Sequence, residues 1–192
     1  MAYNDTNLND REEIIRQLGV MLPTLRMKRH PKTFALMETF DVWELDVNDL
    51  AQALDTNHIP AKPTSYQHHQ IRLGRRVRAY ALSYHAPGEA PEVIQVALSG
   101  VAERIDRAIE RLDATVPDEI SVRLVVVKSC GIYAFWMVEA NHAYLISTPM
   151  RFRRLFNHLR GHRYLEAGDF LKLLYNAVEP FSIIDSQQVV SW

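Results

Sequence analysis

The sequence predicts an α+β protein: an antiparallel sheet in the order strand, long helix, three-strand meander, with N-terminal helices before it and two C-terminal helices after it. Three observations predict this. Residues 120–146, ISVRLVVVKSCGIYAFWMVEANHAYLI, form the densest apolar run and are rich in β-branched and aromatic residues. Residues 70–84 place Ile71, Leu73, Val77, Ala79 and Ala81 on one face of a strand or ribbon. Residues 91–115 carry an apolar stripe at helical spacing opposite a charged one.

In chain order, Asn9 or Asp10 can cap a helix over 11–22, with Ile14, Ile15, Leu18 and Leu22 on one side and Pro23 at its end. Phe34, Leu36, Met37 and Phe40 predict a short helix over 33–40. Asp46 reads as the cap of a helix over 47–54, with Asp49 three residues on and Val47, Leu50, Ala51 and Leu54 sharing a face. Pro60 and Pro63 flank an irregular or helical piece. In 70–84, Gly74-Arg75 either turns a two-stranded ribbon or lies inside one long strand. HAPGEA, residues 85–90, is a loop.

Pro91 suits a helix's first turn, and Val93, Val96, Ala97, Val101, Ile105, Ala108, Ile109 and Leu112 continue the stripe until Pro117. The meander follows: a strand over 120–127, a turn at 128–131, a strand over 132–139, a tight connection at Ala140-Asn141 and a strand over 142–147. A basic helix is expected over 149–159, stopping near Gly161. A last helix over 166–178 turns Phe170, Leu171 and Leu174 inward and ends at Pro180; 182–185 or 188–192 could add an edge strand.

At 192 residues, 47% hydrophobic and 23% charged, the chain is expected to be a single α+β domain over 1–192, with minor seams near 58–65 or 85–90. It contains no charge-free run of membrane-spanning length, and its N-terminus lacks the basic and apolar regions of a secretory signal, so no membrane partner is expected. One cysteine excludes an internal disulfide and fits a cytoplasmic protein. None of the seven glycines builds a GxGxxG or GxxxxGK pattern, and no cofactor is expected.

A net charge of -1 hides a segregation. Three blocks, 23–33, 60–85 and 149–164, hold 14 of the 22 Lys and Arg residues and no Asp or Glu. Clustered cations beside polar side chains are what a phosphate backbone requires. The anion-contact residues nominated on this ground are His68, His69, Arg72, Arg75, Arg76, Arg78, Arg151, Arg153, Arg154 and Arg160. Residues 33–84 are compatible with a winged helix-turn-helix in which 64–69 enter the major groove and 72–78 form the wing. The plainer reading is that these arginines are solvated or pair with Glu38, Glu44 and Asp46.

Other chemistry is thinner. His158 and His162 have the four-residue spacing of a zinc pair, but Gly161 interrupts the helix and no third ligand is marked, so no metal is assigned. Cys130, with Lys128 nearby and His142 on the next strand, could form a thiol site; a small buried side chain is the competing reading. Tyr133, Phe135, Trp136 and Tyr144 belong to a core rather than a base-stacking platform. No catalytic residue is nominated. The leading expectation is a non-enzymatic nucleic-acid or polyanion binder, a regulator or a subunit of a larger assembly. The alternatives are a protein-interaction subunit forming a homo- or hetero-oligomer, and a small metal- or thiol-dependent enzyme.

Overall fold

The computed structural model describes residues 8–25, 33–117, 119–147 and 164–187, with side chains to residue 177 in the last segment. They form a mixed α+β protein whose strands hydrogen-bond in the order β4-β3-β2-β1-β5-β6-β7-β8, a mostly antiparallel open sheet. The strands are β1 Phe34–Glu44, β2 Lys62–Leu73, β3 Arg76–Tyr84, β4 Glu92–Leu98, β5 Val122–Val127, β6 Ile132–Met137, β7 His142–Ser147 and β8 Tyr164–Glu166. The helices are α1 Leu8–Met21, α2 Leu50–Thr56, α3 Gly100–Asp113 and α4 Ala167–Gln187. None of these helices is long and apolar enough to cross a membrane. The chain divides into two compact units, Met1–Val42 with Pro63–Leu124 and Trp43–Lys62 with Val125–Trp192.

In the first unit α1 begins at Leu8, which leaves Asn9 and Asp10 in its first turn rather than at its cap. Ile14, Leu18 and Leu22 are buried with Leu36, Ile71, Ala79, Ala81 and Val93, while Ile15 stays exposed. Small Ala79 and Ala81 leave room for the helix, and each large aliphatic side chain so buried contributes about 2 kcal/mol. The β2–β3 ribbon is a hairpin: Leu73 pairs with Arg76, and Gly74, at φ +66, supplies the left-handed turn residue.

One expected helix of this unit is a strand, and another is a strand in its first part. Residues 34–40 lie in β1, where Leu36, Thr39, Phe40 and Val42 are buried; a strand covered on both faces loses its two-residue period, and its apolar spacing passes for helical. The helix expected from Pro91 is β4 followed by α3. A bulge opposite Leu82 and Ser83 lets Val93 and Val96, three residues apart, pack on the same cluster, which imitates helical periodicity. Ser99 separates the two elements; its hydroxyl caps α3 by accepting from the Val101 N–H at 3.0 Å. From α3, Ala102, Ile105, Ala108, Ile109 and Leu112 are buried, and the helix packs against β3.

The expected meander strands appear as β5, β6 and β7, of which β6 and β7 lie in the second unit and pair antiparallel. The turn at Lys128–Cys130 closes on Gly131 at φ +62, and the Ala140-Asn141 connection on Asn141 at φ +50. Asp46 caps as expected, accepting from the Asn48 N–H at 2.9 Å, but it opens a 3-10 turn, Val47–Asp49, before α2. Phe170, Leu171, Leu174 and Ala177 of α4 pack with Leu50, Ala53, Ile59, Ile132 and Trp136. α4 runs through Pro180 to Gln187, so 182–185 is helix rather than strand. The short β8 was not expected from the sequence. The basic helix of 149–159 and the 188–192 tail lie outside the described residues.

Candidate anion-contact surface

The tip of the β2–β3 hairpin follows from its alternation. Val77 and Ala79 of β3 and Ile71 and Leu73 of β2 turn inward, which leaves Arg72, Arg76 and Arg78 outward, and Arg75 occupies the turn itself. All four arginines are exposed, and none makes an ion pair among the described residues. The expected pairing with Glu38, Glu44 and Asp46 does not occur among the described residues. Glu44 instead binds Lys128 at 2.6 Å, and Lys62 of the same basic block binds Asp49 at 2.7 Å.

Beside the tip lies an open cleft of about 530 Å³, lined on one side by Arg72, Arg75 and Arg76 and on the other by Glu103, Asp106 and Glu110 of α3. The three acids recur at positions that place them along one flank of the helix, next to its buried stripe. Partial burial raises the Asp106 carboxyl above its ordinary range; Glu110 and Glu38 add to the shift, and Arg107 opposes it. Arg107 is occupied within α3, donating to the Glu103 carbonyl at 3.1 Å. The two charged walls therefore face one cleft without touching. The sequence contains both sets of charges, but only the register of α3 against β3 brings them together.

The other nominated residues fall elsewhere. His68 and His69 are 2% and 0% exposed, on opposite faces of β2, so they do not belong to the exposed surface. Desolvation lowers both imidazoles to about 3, so both are neutral near pH 7. His68 stacks on Tyr80 at a centroid distance of 4.9 Å. The helix required at 64–69 by a winged helix-turn-helix is the strand β2, so that topology is not the one formed. Arg151, Arg153, Arg154 and Arg160 lie outside the described residues, as do His158 and His162.

A second polar arrangement was not anticipated. Thr39 Oγ1 is 2.9 Å from His69 Nδ1, His69 Nε2 is 2.7 Å from Ser83 Oγ, and Ser83 Oγ is 2.8 Å from His85 Nε2. The hydroxyl lies between two imidazoles, a spacing that nucleophile–base pairs share, but Ser83 is fully buried and the chain acts as a structural relay across β1, β2 and β3. Nothing in the sequence spacing of 39, 69, 83 and 85 marks it; strand register assembles it.

No family model matches the chain, and neither the curated proteins nor the solved structures yield a match. The site is thus read from its own chemistry. Cys130 is buried, Lys128 is engaged by Glu44, and His142 bonds the Ala140 carbonyl and stacks on Tyr164, so the three do not form a thiol–imidazole pair. Among the described residues no group of three or more His, Cys, Asp or Glu side chains is placed to hold a metal ion.

Proposed function

We propose that this protein binds a phosphate-bearing polyanion, with nucleic acid as the first candidate, through the tip of the β2–β3 hairpin. The observation that supports the reading is the set Arg72, Arg75, Arg76 and Arg78, four exposed guanidiniums within seven residues and without an ion-pair partner among the described residues. Guanidinium groups bind phosphate oxygens in a bidentate fork and release condensed counterions as they do so. The acidic flank of α3 repels phosphate from the adjoining cleft, so the polyanion runs over the outward side of the tip. This contact positions a backbone and reads no bases. A cytoplasmic setting fits the one unpaired cysteine.

The test is fluorescence anisotropy with labelled duplex DNA, single-stranded DNA and RNA at low ionic strength. Wild type binds at least one of them, and the variant carrying Arg72→Gln, Arg75→Gln, Arg76→Gln and Arg78→Gln loses most of that affinity while keeping its circular-dichroism spectrum. Absence of binding to all three probes, or equal binding by the variant, would overturn the assignment.

A further inference from the structure

We infer that the cleft between the β2–β3 hairpin and α3 binds a small zwitterion, an amino acid or a short peptide with free ends, its carboxylate on Arg72 and Arg76 and its ammonium on Asp106 and Glu110. The inference uses the inner side of the hairpin and does not rest on polyanion binding. Charge is the first ground. Glu103 lies 3.8 Å from the Arg107 guanidinium, whereas Asp106 and Glu110 make no ion pair among the described residues, and neither do the arginines opposite them. A simple anion in the cleft meets the acids and a simple cation meets the guanidiniums, so either sign alone is repelled by one wall. A molecule that carries both signs satisfies both walls. The cleft, about 530 Å³, has the volume of a small-ligand site.

The second ground lies behind the walls. Ile71 packs in the α1 cluster, so its neighbours Gln70 and Arg72 turn to the other face of β2, and Gln70 is the next residue inward from Arg72 on the face that lines the cleft. Thr39 bonds His69 and Asp41 accepts from Gln67, a register that sets Glu38 of β1 beside Gln70. Gln70 is 0% exposed, and neither its Nε2 nor its Oε1 has a hydrogen-bond partner among the described residues; Glu38 Oε2, also buried, has none. Although they are neighbours, the two side chains do not bond each other.

Such groups cost the fold free energy unless something completes them. Glu38 adds its field to that of Glu110 at Asp106, so an ammonium held there offsets all three carboxylates. The unpaired amide of Gln70 supplies one donor and one acceptor at the inner end of the cleft, where the ligand's own polar atoms complete it.

The experiment is isothermal titration of the full chain at low ionic strength with glycine, alanine and their dipeptides and tripeptides, and with the N-acetylated and C-amidated form of each. At least one unblocked compound is expected to bind, and the length that binds best separates a free amino acid from a peptide as the ligand. Blocking either end removes one charge-assisted contact and is expected to weaken binding by about tenfold. Asp106→Asn and Glu110→Gln are each expected to weaken it likewise. Loss of acidic charge is not expected to weaken polyanion binding, so the two readings fail separately. Gln70→Leu is expected to lower affinity for the zwitterion while raising the midpoint of thermal unfolding, because it removes an unpaired amide from the interior. Absence of binding by every unblocked compound overturns the inference. So does equal binding of the blocked forms, or equal binding by the folded acid variants or by folded Gln70→Leu. The blocked forms need no variant and decide the matter if a substitution unfolds the chain.

Discussion

His68 and His69 are buried in their neutral form, and that makes stability sensitive to acid. The unfolded chain gains protons at these residues as pH falls below about 6.5, whereas the folded chain takes them up only near 3. Their contribution is therefore complete above the unfolded value and declines with pH down to the folded one, by about 2 kcal/mol per histidine at pH 5. Urea unfolding at pH 7, 6 and 5 is expected to show this decline, and His68→Phe, which keeps the stack on Tyr80, is expected to reduce its slope. An unchanged slope would contradict the buried-imidazole account. Ser83 joins His69 and His85 through one hydroxyl, so Ser83→Ala strands a buried ring nitrogen and is expected to lower unfolding free energy by about 2 kcal/mol. Adjacent residues of a strand face opposite ways, and His68 and His69 do so in β2. Their burial was illegible because it depends on both faces of β2 being covered, which one strand's sequence does not report.

The hairpin and α3 are the elements that set the charge of the candidate surface. Gly74 occupies φ +66, where a β-branched residue is strained, so Gly74→Val is expected to cost about 1–2 kcal/mol in unfolding free energy and to weaken polyanion binding by disturbing the arginines' spacing. The acidic flank of α3 predicts the opposite effect for a different change. Glu103→Gln with Glu110→Gln is expected to tighten polyanion binding at low salt, measured by the same anisotropy titration; weaker or unchanged binding would mean the cleft's acidic wall does not act on the ligand. The hairpin was one of two readings left open by the sequence, because Gly74-Arg75 fits a glycine-first turn and the interior of one long strand alike; the pairing of Leu73 with Arg76 decides it. The β4–α3 boundary was not legible, because Val93 and Val96 pack together across a bulge and so keep a helical interval in a strand. Ser99-Gly100, a capping residue before a weak helix former, was the available signal.

At the scale of the molecule, a net charge of -1 coexists with a local surface of four exposed arginines that make no ion pair among the described residues. Composition reports only the first of these, and segregation along the chain pointed to the second. The meander and the α+β class could be read from apolar periodicity, since each depends on local pattern. Sheet order, the Thr39–His69–Ser83–His85 relay and the facing of α3 toward the hairpin depend on contacts between distant segments, and no local period encodes them. The central claim, that the hairpin arginines engage phosphates, is tested most directly by the salt dependence of affinity. Wild type and the variant with all four arginines changed to glutamine should be titrated with the same duplex between low and physiological salt. Each arginine that neutralises a phosphate should steepen the wild-type log–log slope by about 0.9 relative to the variant. Parallel lines for the two proteins, whatever their affinities, would contradict it.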